Sequence, residues 1–197
     1  MFARTERLLL RPGWLEDAAE LQAMIGDEAV VRNLVRVPWP YALDDAKAFL
    51  SQPQGPHEPR FLISLRTGGA ARIIGGAGIA DLDGAPNLGY WIARPYWGLG
   101  FATEAARAVI GIARAMSLPR LSAAHFADNR ASGAVLRKLG FQPTGRITNR
   151  YSIARGSEVA TVEYAEGEDD AAGAMQDVRC TPLFPHDPRR DIRQMAA

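Results

Sequence analysis

Trp91-Ile92-Ala93-Arg94-Pro95-Tyr96-Trp97-Gly98-Leu99-Gly100-Phe101-Ala102-Thr103-Glu104-Ala105 is the stretch whose reading decides the fold. Just before it, Asn87 to Ile92 reads as a short strand, with Tyr90, Trp91 and Ile92 of high β-propensity. Thr103 to Ser117 reads as a helix, because Ala105, Val109, Ile112, Ala113 and Met116 recur at helical spacing while Arg107 and Arg114 mark the wet side. The loop between carries Gly98 and Gly100 and no acid before Glu104. A strand feeding a glycine loop feeding a helix N-terminus suits an anion. The loop N–H groups converge, small residues allow close approach, and the helix dipole favours negative charge.

A phosphate-binding P-loop would need Lys and Ser/Thr directly after its last glycine, and here Phe101 and Ala102 follow Gly100. A dinucleotide fingerprint starting at Gly98 puts Thr103 where its third glycine belongs, and its strand would have to open a βαβ unit. The run instead resembles the acyl-coenzyme A loop of the GNAT superfamily of N-acetyltransferases, with its Gln/Arg-x-x-Gly-x-Gly/Ala pattern. Gly100 and Ala102 fill the two small positions, and Trp97 stands in place of Gln/Arg. Gly89-Tyr90-Trp91 followed by Tyr96-Trp97-Gly98-x-Gly100-x-Ala102-Thr103-Glu104-Ala105 resembles the RimJ/RimL-type branch, where that Trp is common. The resemblance implies a mixed α/β (α+β) domain, a splayed and mostly antiparallel sheet of about seven strands flanked by about four helices.

The rest of the chain agrees with that order. Arg7 to Arg11 reads as a first strand ended by Pro12-Gly13, and Glu16 to Ile25 as a helix. Glu28 to Leu34 reads as a further turn or two, and Asp44-Asp45 opens a helix with acids in its first turn. Three antiparallel strands are expected at Arg60 to Arg66, Arg72 to Ala80 and Asn87 to Ile92. After the organising helix come a strand from Arg120 to Phe126, a helix from Arg130 to Leu139 stopped by Gly140, and strands near Gln142 to Ile153 and Glu158 to Ala165. The resemblance covers residues 4–165 and places the splay between Asn87 to Ile92 and Arg120 to Phe126. Residues 1–165 thus read as the domain. Residues 166–197, acidic, then basic among prolines and without periodicity, read as an extension, with Leu183 and Phe184 as its candidate anchors.

A length of 197 residues with 47% hydrophobic and 23% charged residues describes one ordinary globular domain. A net charge of +1 gives no electrostatic case for nucleic acid or an anionic membrane. No apolar run approaches the roughly 20 residues that span a bilayer. Leu8-Leu9-Leu10 is too short for the apolar region of a signal peptide. Cys180 has no partner for an internal disulfide, which suits a cytoplasmic protein. His57, His125 and His186 make no metal-ligand spacing, so no metal is expected.

The resemblance assigns the coenzyme pyrophosphate to the backbone amides of Trp97, Gly98, Leu99, Gly100, Phe101, Ala102 and Thr103. Asn129 and Ser132 form Asn-x-x-Ser after the expected fifth strand. In the resembling branch the Asn amide holds the pantetheine arm and the Ser hydroxyl lies near the sulfur. The plain alternative is helix capping by Asn129 with Ser132 in the first turn. The N–H of Ile92 is a candidate oxyanion donor. Trp39, Tyr41 and Tyr90 are acceptor-side candidates, against plain packing. Glu104 is a candidate base or a support of the helix N-terminus, and Tyr151 and Glu158 are further catalytic candidates near the expected rim of the cleft.

These readings imply transfer of acetyl from acetyl-coenzyme A to a primary amine, a small molecule or a protein N-terminus, by direct attack in a ternary complex. The enzyme would be a monomer or homodimer. No Cys or Ser-His pair suited to a nucleophile is visible, in agreement with direct attack. The alternatives are a non-catalytic acyl-coenzyme A sensor on the same fold and a nicotinamide-dependent oxidoreductase.

Overall fold

A computed structural model describes residues 1–66, 71–82 and 84–167. Eight strands form one sheet in the order β1-β2-β3-β4-β5-β6-β8-β7. They are β1 (Ala3–Arg4), β2 (Leu8–Arg11), β3 (Arg60–Leu65), β4 (Arg72–Leu82), β5 (Ala85–Ile92), β6 (Ser122–Phe126), β7 (Phe141–Ser152) and β8 (Ser157–Glu166). Five α-helices flank it: α1 (Ala18–Ile25), α2 (Glu28–Val31), α3 (Leu43–Ser51), α4 (Phe101–Ala115) and α5 (Arg130–Lys138). The expected class, strand succession and helix succession are all present. The differences are local. Ala3–Arg4 adds a two-residue strand too short to leave a periodic signal, and the helix expected from Glu16 begins as a 3-10 turn over Leu15–Asp17.

Every neighbouring pair in the sheet is antiparallel except β5 and β6. These two run parallel and pair only at Asn87↔Ser122 and Leu88↔Ala123. Beyond Leu88 they diverge, so the sheet opens where the resemblance places its splay.

The sheet has a core on each face. Leu8, Leu10, Ile74, Ile79 and Leu88 pack under α4, whose buried stripe runs Ala105, Ala106, Ala108, Val109, Ile112 and Ala113. Leu21 and Ile25 of α1 pack with Val31, Tyr41, Ala46, Leu62 and Ile73 on the other face. Strand β8 runs one residue past the expected boundary at 165. The carboxylate of Glu166 pairs with Arg114 and accepts from the N–H of Leu121, joining the strand end to α4. Cys180, Leu183, Phe184 and the rest of the expected extension from 168 onward lie outside the described residues.

Candidate active site

The loop between β5 and α4 is built by backbone geometry. Gly98 and Gly100 both take left-handed φ values, +75° and +82°, which cost a glycine little and other residues more. Gly100 is the N-cap of α4 with no side chain capping it. Among the described residues, the amide N–H groups from Gly98 to Thr103 find no acceptor. Helix α4 therefore presents its unsatisfied first turn, the positive end of a 15-residue dipole, to whatever lies before it. That cradle fits a pyrophosphate. The indole of Trp97 donates to the carbonyl of Ile92 at 2.6 Å, so this side chain ties the loop back to β5.

The loop is braced from the N-terminal strands. Glu104 accepts from the Thr5 hydroxyl at 2.6 Å, from the Arg7 N–H at 2.9 Å and from the Arg7 guanidinium at 2.7 Å. Arg7 also donates to the carbonyl of Leu99 inside the loop. Burial pushes the Glu104 carboxyl up, but the Thr5 hydroxyl and then Arg7 outweigh it and hold the group below the usual carboxylate range. A carboxylate so engaged is a poor proton acceptor. The geometry favours the support reading of Glu104 over the base reading. Thr5 and Arg7 escaped sequence reading because no local pattern marks a partner almost 100 positions away.

Since the folded-state value is lowered, the Glu104 contribution is present above its unfolded value and is lost as pH falls through the folded one. Glu104→Gln is expected to destabilise the protein at pH 7, and the difference from wild type should shrink below about pH 4.3, the unperturbed Glu value. Urea unfolding of both proteins at pH 7 and pH 3.5 checks this. A gap that widens on acidification would contradict it.

At the open edge of β5, strand alternation settles the direction of the backbone groups. Ala93 donates to Ile74 of β4, so the N–H groups of Ile92 and Tyr90 point the other way, into the splay. An unpaired strand edge here can pair with the amides of a pantetheine arm, and the Ile92 N–H is left for an oxyanion.

Across the splay, Asn129 caps α5, accepting from the Ser132 N–H at 3.2 Å and donating through Nδ2 to the Ser132 hydroxyl oxygen at 3.1 Å. The capping reading of Asn129 is thus realised, and it leaves the Ser132 proton free to be donated. The Tyr90 hydroxyl donates to the Ser132 carbonyl at 3.2 Å. Burial first, and the nearby Tyr164, push the Tyr90 phenol up to about 12 despite that bond, so it stays a neutral donor.

On the other face of the splay lies a cavity of about 330 Å³. Gly89, Tyr90 and Trp91 line it from β5, and Ala124, His125 and Phe126 from β6. Its roof is the segment after α2, held down from the β7–β8 turn. Ile153 donates to Val35, Arg155 donates to the Arg32 carbonyl at 2.7 Å, and Arg155 grips Asp128 with both terminal nitrogens at 2.8 and 3.0 Å.

Of the expected acceptor-side residues, Tyr41 and Tyr90 line the cavity. Trp39, 41% exposed, does not, and neither does the catalytic candidate Tyr151, 58% exposed. Exposed aromatics beside Pro38 and Pro40, or on an outer strand, gave no sign of facing away. Gly89 and His125 were not expected. Their signal, a glycine inside a strand and a histidine just before the Asn-x-x-Ser turn, was visible in the sequence. Among the described residues, no three His, Cys, Asp or Glu side chains group as metal ligands, and no helix is long and apolar enough to cross a membrane.

The profile of the acetyltransferase (GNAT) domain matches residues 7–142, spanning the loop, the splay and α5. The chain belongs to the GNAT acetyltransferase family. It is accordingly an acyltransferase. An uncharacterized N-acetyltransferase of Bacillus subtilis, YoaA, is 29% identical over 168 residues, covering 82% of this chain and 93% of that one. A GNAT-family acetyltransferase of Bacillus anthracis superposes with a TM-score of 0.71 at 23% identity, over 84% of this chain and 97% of that one. RimL, a ribosomal L7/L12 α-N-protein acetyltransferase solved with coenzyme A, has a TM-score of 0.68 at 18% identity, over 84% and 97%. The likenesses to solved structures show the GNAT fold read from the sequence.

Proposed function

We propose that this GNAT protein moves acetyl from acetyl-coenzyme A to a primary amine by direct attack within a ternary complex. The observation that carries the reading is the placement of the amide cradle at Gly98 to Thr103 and the open edge of β5 on one path, ending at a cavity on the far side of the splay.

The pyrophosphate would sit on the cradle and the pantetheine arm along Tyr90 and Ile92. The thioester would then reach the gap between β5 and β6, its carbonyl oxygen within reach of the Ile92 N–H. The amine arrives from the cavity, and its lone pair attacks that carbon. As the carbon–sulfur bond breaks, the Ser132 hydroxyl donates to the departing thiolate. The Asn129 amide donates into the Ser132 oxygen and holds the hydroxyl in place.

The amine must lose a proton first. For an amine of pKa about 8 that costs about 1.4 kcal/mol at pH 7, and for one near 10.4 nearer 5. With Glu104 committed to Arg7 and Thr5, the proton is left to a base acting through water.

Free-thiol release on mixing the protein, acetyl-coenzyme A and a panel of primary amines tests the reading. Release that depends on the amine is expected. Binding of acetyl-coenzyme A without turnover of any amine would favour a sensor on the same fold instead.

A further inference from the structure

Gly89 has no structural reason to be glycine. Its φ is not left-handed, and a Cβ built on it meets nothing within 4 Å. Its cross-strand neighbour Gly78 differs, because a Cβ there would come within 2.6 Å of the Pro59 carbonyl. A glycine inside a strand weakens it, and often marks a place where a ligand approaches the backbone. The space that Gly89 leaves open is the floor of the cavity.

Register puts four small residues side by side on that floor. Gly78 pairs with Gly89 and Ala80 with Asn87, while Ala124 follows the Leu88↔Ala123 pair on β6. All of them line the cavity. Trp91, Phe126, Tyr41 and Leu62 rise around this floor as apolar walls. The charged lining residues are Arg36, Arg60 and Arg150 against one acid, Asp81.

We infer that the cavity takes the acceptor, and that the acceptor is a small monoamine whose body is flat and apolar. Gly89 makes room for the body and sets the specificity. Arg36 and Arg60 oppose a second cation on the acceptor, which disfavours polyamines, while Arg150 is paired with Glu163. The apolar walls offer little to the amide groups of a peptide, which would lose their hydrogen bonds to water on entering. This assignment rests on the acetyl-transfer reading for the site's purpose, though its binding chemistry stands by itself.

The test is calorimetric titration of 2-phenylethylamine, spermidine and a tripeptide beginning with Ser into the full chain, with and without coenzyme A. Wild type is expected to bind 2-phenylethylamine at least tenfold more tightly than the other two. Gly89→Val should weaken that binding at least tenfold, with coenzyme affinity unchanged and the melting temperature equal or higher, because a β-branched residue suits a strand. Gly89→Ala, a single added methyl, should give a smaller loss in the same direction and serves if the valine variant fails to fold. Spermidine or the peptide binding as tightly as 2-phenylethylamine, or Gly89 variants with undiminished affinity, would overturn the assignment. Tight binding of 2-phenylethylamine without an acetylated product would uphold the pocket and count against acetyl transfer.

Discussion

Gly100→Asp is expected to weaken coenzyme binding by up to about a hundredfold more than Gly100→Asn does. The two side chains have the same shape, and both tolerate the left-handed backbone that Gly100 adopts better than other residues do. They differ in charge. A carboxylate about 5 Å from a phosphate charge costs about 3 kcal/mol at an effective dielectric near 20, or roughly a hundredfold in affinity. The melting-temperature rise on adding acetyl-coenzyme A reads the difference. Both variants carry whatever strain a Cβ introduces, so the Asn protein isolates the electrostatic effect. The Arg7 guanidinium lies 3.5 Å from the position a Cβ would take, and it would partly neutralise an aspartate there. The hundredfold figure is therefore an upper value. Equal ligand-induced shifts in wild type and Gly100→Asp would remove the pyrophosphate from this loop.

Ser132→Ala should lower kcat by roughly ten- to a thousandfold, the scale of acid assistance or of one lost transition-state donor. The KM for acetyl-coenzyme A should change little, because the hydroxyl acts as charge builds on sulfur. Stability should fall by about 1 kcal/mol or less. The hydroxyl oxygen accepts from Asn129, and the backbone N–H of residue 132 still satisfies the Asn129 cap after the change. Asn129→Ala should behave differently. It removes the cap of α5, a loss of about 1 kcal/mol, and frees the Ser132 hydroxyl to turn, so kcat and coenzyme affinity should both fall. Steady-state kinetics and melting temperatures of the two variants separate these outcomes. Full turnover by Ser132→Ala would return that residue to the helix turn alone.

The parts of the fold that are local in sequence were legible as such. The short apolar runs in Arg60 to Leu65 and Arg72 to Leu82, the apolar stripe of α4, and the glycine that ends α5 all rest on neighbours a few positions apart. The anion loop was legible because two glycines with no acid before Glu104 lead straight into a helix. What stayed hidden depends on distance along the chain. The Thr5 and Arg7 brace on Glu104 decides between a base and a support, and it spans almost 100 positions. Trp39 and Tyr41 are two residues apart with similar composition, yet Tyr41 turns into the core beside α1 and Trp39 turns to water. Gly89 is visible in the sequence as a glycine inside a strand, and the empty space over it gives that signal its meaning.

The central claim is that the amine in the cavity takes the acetyl group directly from the thioester in the splay. A single-turnover reaction read by mass spectrometry tests it most directly, with the protein in excess over acetyl-coenzyme A and an accepted amine present. Direct attack predicts one acetylated amine for each thiol released, with the protein mass unchanged at every time point. Protein that carries an acetyl group before the amine does, or thiol released without acetylated amine, would contradict the account.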